Sequence, residues 1–322
     1  MSAPVLQLQG CTVTDARDNV LIHDVSLSVG AHECVGIIGE SGSGKTMTAR
    51  AILGLLSKDL KLSARQMSLC SQDLLTMNEK QKRAVIGQEI GFVPQNTVAY
   101  LHPLIRIRNQ IADGFVQAGR GTRQQGQAKA EQLLASVGIR DPKRVMNSYP
   151  GQLSGGMRQR VNIAMALMCD PQLIIADEPT TALDCIVQQQ VTELFFQLHQ
   201  QRNTAILMIS HNLTMLKKYC DRIIVMYAGQ IVEAASAQEI FDHPHHPNTR
   251  ALISVIPRLD QDPNVPLTEI PGYVPEKNRG RTSCLFADRC AHCQPQCRQP
   301  LQFSDALPHF SRCILQEGGM AG

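Results

Sequence analysis

GESGSGKT, residues 39–46, decides how this chain is read. Gly39, Gly44, Lys45 and Thr46 satisfy the spacing G-x-x-x-x-G-K-[ST], and Ser41, Gly42 and Ser43 fill the loop between them. Glycines let a backbone curl until successive N–H groups converge on one phosphate. A helix starting at the loop aims its N-terminus at the same anion. In such a loop Lys45 would reach the β/γ-phosphates and the Thr46 hydroxyl would ligate Mg²⁺. The flanks fit this reading. CVGII (34–38) is an apolar run typical of a strand buried on both faces, and TMTARAILGLL (46–56) repeats apolar residues at helical spacing. Strand, glycine loop and helix together predict a bound nucleotide.

The same alternation continues along the chain. VLQLQGCTV (5–13) and VSLSV (25–29) alternate like strands of a half-buried sheet. EIGFV, LIIA and TAILMIS are further strands, and RIIVMYAGQIVEAA reads as a hairpin turning at Ala228–Gly229. Between strands lie MNEKQKRAVIG, AKAEQLLASVG, LSGGMRQRVNIAMALMC and VQQQVTELFFQLHQQ, which read as helices. GRGTRQQGQ (119–127) reads as a turn-like surface linker. Strands alternating with helices indicate a parallel α/β core, and the helical block between 97 and 150 reads as an insertion in it. Beyond Arg258 the prolines 263, 266, 271 and 275 break periodicity, which predicts a domain boundary between about 250 and 270.

Bulk composition is that of a globular protein: 322 residues, 43% hydrophobic and 18% charged. A net charge of +3 argues for no nucleic-acid partner. No stretch approaches the ~20 apolar residues of a membrane helix. MSAPVLQLQG lacks a signal-peptide layout, so the expected compartment is the reducing cytosol and any membrane role comes through a partner. Of 11 cysteines, Cys11, Cys34, Cys70, Cys169, Cys185 and Cys220 are scattered and read as small buried or incidental residues. Cys284, Cys290, Cys293, Cys297 and Cys313 crowd the tail, where a reducing compartment favours a metal site over disulfides.

A phosphate loop hydrolyses nothing alone. LIIADEP places Asp177 at the end of a buried strand, suited to orienting Mg²⁺, and Glu178 beside it, suited to act as general base on the attacking water. A single Asp there would read as a turn or cap residue. Two adjacent carboxylates, in a chain that carries the loop, favour the catalytic reading.

LSGGMRQR (153–160) resembles the signature motif of ABC-type ATPases, and with GESGSGKT and LIIADEP it makes that family's defining trio over about residues 5–250. The resemblance implies an α/β fold: a P-loop, RecA-like core with an antiparallel β subdomain and an inserted helical subdomain at about 97–164. The domain would span 1–255, with a small Cys-rich C-terminal domain at 256–322. It makes Gln95 of FVPQ a water and Mg²⁺ ligand together with Thr46 and Asp177. Asp184 of TALD becomes the residue of the loop after the catalytic strand, and His211 of ISHN the γ-phosphate contact. Two such domains would pack head to tail. Ser154, Gly155, Gly156 and Gln159 of one chain would face the ATP held by the other's loop, so that hydrolysis releases the pair. One departure is that no aromatic residue precedes Phe92. Val13 or its neighbours would then cover the adenine without aromatic stacking.

The tail narrows the resemblance. PHHPNTRALISVIP, the proline-rich linker and the spaced cysteines are similar to the C-terminal extension of ATPases from peptide/nickel-type importers. This implies a [4Fe–4S] cluster on Cys284, Cys290, Cys297 and Cys313, with Cys293 as an extra. By softness thiolates suit Zn²⁺ as well, and the Cys290/Cys293 C-x-x-C pair keeps a zinc knuckle open. His243, His245 and His246 read as a proline-punctuated turn and His309 as a surface residue. The implied function is ATP hydrolysis for import of di- or oligopeptides, or alternatively of nickel, metal chelates or other small solutes. The implied place is the cytoplasmic face of the bacterial inner membrane. The implied partners are a second, distinct ATPase, two membrane permease subunits and an extracytoplasmic binding protein. A soluble ABC mechanoenzyme of DNA repair or translation is the rival, but such chains carry coiled coils or two ATPase halves. This chain has one phosphate loop and no heptad run.

Overall fold

The computed structural model describes residues 3–96, 99–180, 185–255, 270–275, 279–301, 303 and 309–315. In chain order, β1 (Leu6–Thr14) and β2 (Val20–Val29) alternate between buried and half-buried residues. The strand β3 (Cys34–Ile38) is buried at every position and delivers the chain to the phosphate loop. Helix α1 (Lys45–Ile52) follows, a turn shorter than its apolar spacing suggests. Three short strands, β4 (Lys61–Ser63), β5 (Gln66–Leu69) and β6 (Gln72–Asp73), carried no signal in the sequence, being too brief for a period to show. Then come α2 (Glu79–Glu89) and β7 (Ile90–Val93).

A run of helices follows: α3 (Ile107–Gln117), α4 (Arg123–Ser136), α5 (Pro142–Asn147) and α6 (Gly155–Ala166). Here the linker expectation for 119–127 is corrected. Thr122 and Gln125 form a capping box, which starts α4 at Arg123. Gly126 lets α4 lie close to α3, since a Cβ there would sit 3.2 Å from Phe115 and 3.3 Å from Ala112. The remaining elements are β8 (Leu173–Asp177), α7 (Cys185–Arg202), β9 (Ala205–Ile209), α8 (Leu213–Tyr219), β10 (Arg222–Tyr227), β11 (Gln230–Ser236), α9 (Ala237–Asp242), α10 (Pro247–Ser254) and β12 (Phe310–Ser311).

The chain forms two compact units. The first comprises Met1–Gln7, Ser28–Glu33 and Met67–Met208. In it β7 and β8 run parallel, with Ile90 opposite Leu173 and Val93 opposite Ala176, and β9 lies on the other side of β8. The helices α3 to α6 fall in sequence between these two paired strands and pack on one another. The second unit comprises Leu8–Leu27, Cys34–Gln66 and Ile209–Gly322. Its strand order is β12-β11-β10-β3, with β10 parallel to β3 and antiparallel to β11. Ala228 (φ 46°) and Gly229 (φ 85°) make the β10–β11 turn, the doubly left-handed geometry that matches strand twist. No described helix is long and apolar enough to cross a membrane.

Candidate functional site

In the second unit the phosphate loop is held in a shape that few sequences allow. Gly39 has φ 150°, and a Cβ there would lie 2.2 Å from the Met226 carbonyl oxygen. Gly44 has φ 103°, and its Cβ would meet Ile22 at 2.8 Å. The β10–β11 turn locks the loop further, as Gly229 N–H donates to Ser43 O at 2.8 Å. Lys45 is buried, and its Nζ donates to the carbonyls of Gly39 (2.7 Å) and Glu40 (2.9 Å). No side chain caps α1, because Gly44 stands at the cap position, so its first turn offers backbone N–H groups to an anion. Thr46 is the second residue of that helix. Ser210 N–H donates to Ile37 O at 3.3 Å, which ties the residue before the exposed His211 to the strand that feeds the loop.

In the first unit the parallel register of β7 and β8 brings two expected residues together. Val93 lies opposite Ala176, so Gln95 and Glu178 each stand two residues past that pair. Gln95 Nε2 donates to Glu178 Oε2 at 2.7 Å. Glu178 has φ 46°, an uncommon backbone for a residue with a Cβ, and such strain gathers at functional positions. Asp177 ends β8 and is buried. Ser154 caps α6, its Oγ accepting from Met157 N–H at 3.3 Å, and it is exposed. A Cβ on Gly156 would sit 2.7 Å from Val187 Cγ1, so a larger residue there would force that side chain to shift.

Two expectations are corrected. Gln159 is 1% exposed, so its side chain faces inward and is out of reach of a second chain's nucleotide. The helical period explains this: Gln159 falls on the inward face of α6 with Asn162, Ile163 and Ala166. Val13 is wholly buried, since the alternation of β1 points Cys11 and Val13 inward and leaves Thr12 and Thr14 on the other face. It presents nothing to an adenine. Asp184 lies outside the described residues.

The tail thiols fall into two groups. Cys284, Cys290, Cys297 and Cys313 line one pocket with His246 and Phe286, whereas Cys293 does not. Cys284 N–H donates to Cys297 O at 2.9 Å, and Gln294 N–H points at Cys297 Sγ at 3.5 Å. Burial, and then the neighbouring cysteines, push the Cys284 thiol up to about 11; Cys290 and Cys313 shift the same way for the same first reason. Ligation must therefore displace protons from this pocket. Four cysteines that line one pocket supply soft donors of the kind a metal centre uses.

His309 is not a surface residue. It is mostly buried, and its Nε2 hydrogen-bonds Glu233 Oε1 at 2.7 Å. Glu233, fully buried, also accepts from the His245 and His246 amides at 2.7 and 2.9 Å, which fixes the expected histidine turn. The sequence offered no sign of Glu233 or of Arg289, whose Nη1 pairs with Glu40 of the phosphate loop at 2.8 Å.

Two family models match the chain: "ABC transporter" over residues 22–181, and "Oligopeptide/dipeptide transporter, C-terminal region" over 232–297. The chain is 42% identical over 274 residues to the dipeptide transport ATP-binding protein DppD of Escherichia coli, covering 85% of this chain and 84% of that protein. It is 41% identical to DppD of Haemophilus influenzae, covering 85% and 83%. Among solved structures it resembles the ATP-binding cassette MJ0796, solved as a dimer in a post-hydrolysis state with ADP and Pi. The TM-score there is 0.64 at 25% identity, over 72% of this chain and 98% of that one.

Proposed function

Because this chain belongs to the ATP-binding proteins of ABC transporters and is an ATPase of that type, we propose that it energises a membrane importer of di- or oligopeptides. The observation that carries the substrate class is the joint match to an ABC transporter model and to the oligopeptide/dipeptide C-terminal region, in one chain and in that order. Residues 1–255 would be the nucleotide-binding domain, with α3 to α6 belonging to an inserted helical subdomain at about 97–164, and 256–322 the Cys-rich extension. The chain would sit on the cytoplasmic face of the membrane beneath two permease subunits. It would be paired with a second, distinct ATPase and served by an extracytoplasmic peptide-binding protein.

In this reading the loop amides and Lys45 bind the β/γ-phosphates, and the uncapped start of α1 adds its dipole. Thr46, Asp177 and Gln95 supply hard oxygen donors that suit Mg²⁺, which would neutralise phosphate charge. Glu178 takes the proton of the attacking water onto its carboxylate. The Gln95 amide fixes the orientation of that carboxylate through Oε2 before the water arrives. His211 contacts the γ-phosphate. Ser154 and the backbone of Gly155 and Gly156, at the exposed start of α6, would close the partner's nucleotide from the far side, with Asp184 near the same interface. Loss of the γ-phosphate then removes the bond between the two ATPases.

For the tail, a [4Fe–4S] cluster on Cys284, Cys290, Cys297 and Cys313 is the favoured group. A tetrahedral zinc site, with Zn–S near 2.3 Å, would hold its sulfurs only about 3.8 Å apart. Among the described residues no three of these thiols come within 4.8 Å of one another, which supports the wider-spaced group.

The test is reconstitution of the complete importer in vesicles with its binding protein. ATP-dependent uptake of a labelled dipeptide is expected, and Glu178→Gln should cut turnover by about 10²–10⁴-fold while ATP binding persists. Uptake of a nickel chelate but no peptide would overturn the substrate class. Unchanged turnover in Glu178→Gln would overturn the assigned base.

A further inference from the structure

We propose that Arg289, from the cysteine-bearing tail, is a positioning residue of the phosphate loop that neutralises Glu40 and so sets the nucleotide affinity of the chain. The proposal rests on the nucleotide reading above and adds to it a residue from outside the nucleotide motifs.

Arg289 ends the 3-10 turn Ala287–Arg289, next to Cys290. Its side chain is only 6% exposed, an unusual place for a guanidinium unless it is paired. Each of its three nitrogens is engaged. Nη1 donates to Glu40 Oε1 at 2.8 Å and to the Tyr227 hydroxyl at 3.3 Å. Nε donates to Pro271 O at 2.6 Å and Nη2 to Ile270 O at 3.2 Å. The guanidinium also lies 5.7 Å from the ring centres of both Tyr227 and Phe286, which meet edge to face at 5.2 Å. The cation is therefore fixed from several sides and points at one carboxylate.

That carboxylate belongs to the loop itself. Glu40 follows Gly39, and its backbone carbonyl accepts from Lys45 Nζ at 2.9 Å and from Ser43 N–H at 3.1 Å. Gripping the Glu40 side chain thus steadies the carbonyl that holds the phosphate-binding lysine. There is an electrostatic reason as well. A carboxylate inside a loop shaped for a polyphosphate repels its own ligand, and at 22% exposure water screens it only in part. Arg289 cancels that charge with a charge-assisted hydrogen bond. Arg279, also from the tail, reinforces the arrangement: its Nη1 donates to Leu21 O at 3.4 Å, and its Nη2 would lie 4.0 Å from a Cβ on Gly42.

The experiment titrates the full-length chain with Mg²⁺ and a fluorescent ATP analogue. Arg289→Ala should weaken binding at least tenfold, because it leaves an uncompensated carboxylate beside the phosphates. Adding Glu40→Gln to Arg289→Ala should restore affinity to within about threefold of the unaltered chain, a rescue that a merely structural arginine would not show. Arg289→Lys, which keeps a cation but loses the fork, should fall between; if Arg289→Ala does not fold, Arg289→Lys with and without Glu40→Gln decides the matter in the same way. Unchanged affinity in the arginine variants, or a loss that Glu40→Gln does not relieve, overturns the proposal alone. An unaltered chain that binds no better than Lys45→Ala would overturn the nucleotide reading and this proposal with it.

Discussion

Acid should destabilise this protein through one buried histidine. His246 is 1% exposed and caps α10, with its Nδ1 accepting from Asn248 N–H at 3.1 Å. That bond requires an unprotonated Nδ1. Its own amide donates to Glu233, and its ring lies 5.8 Å from that of Phe286. Burial lowers its pKa from 6.5 to about 4, against an upward pull from Glu233. For a base whose folded pKa lies below its unfolded one, the unfolded chain binds the proton first. Stability is therefore full above pH 6.5 and falls as pH drops toward 4. At about 1.4 kcal/mol per pH unit, the whole window is worth about 3 kcal/mol and the fall to pH 5 roughly 2 kcal/mol. Urea unfolding of the chain and of His246→Asn, each from pH 7.5 to 4.5, isolates the effect. Asparagine keeps an acceptor for the Asn248 amide and does not titrate, and subtracting the two curves removes the other histidines that burial also lowers, His23 and His245. The difference should grow by roughly 2 kcal/mol between pH 6.5 and 5. Parallel curves would refute the reasoning, since His246 would then titrate alike in both states.

Two further outcomes follow from the packing. Gly39→Ala should abolish measurable nucleotide binding in a chain that still folds, because its Cβ would drive into the Met226 carbonyl at 2.2 Å; equilibrium binding checks this, and retained affinity would mean that the loop can rearrange. Cys297→Ser should lose bound iron and visible absorbance in anaerobically purified protein, whereas Cys293→Ser should keep both, because only Cys297 lines the shared pocket. Equal iron loss in the two variants would reassign the ligand set.

The local parts of the nucleotide site were legible because they are local. A glycine loop between a strand and a helix needs only adjacent residues, and CVGII, LIIA and AILMI show their full burial as unbroken apolar runs. The hairpin at Ala228–Gly229 was legible for the same reason, since a two-residue left-handed turn selects its residues directly. The misreadings came where a short signal competes with context. Gln125 looked like part of a polar linker until its capping partner Thr122 was seen to start α4. Val13 looked available because alternation alone does not say which face meets the core; the left-handed Gly10 (φ 62°) and the two half-buried residues Gln9 and Gly10 reset the phase of β1 before it.

The sequence by itself determined the chemistry: a loop that binds phosphate, a carboxylate pair after a buried strand, a signature helix start and a set of clustered thiols. Each is specified by neighbours a few residues apart, where backbone geometry and spacing suffice. Only the tertiary structure decided which of these groups meet. The register of β7 and β8 carried Gln95 to Glu178 across 83 positions, and Glu233 reached His309 across 76. Arg289 reached Glu40 across 249 positions. Such contacts leave no periodicity to read, because a buried charge takes its partner from whatever the packed fold brings beside it.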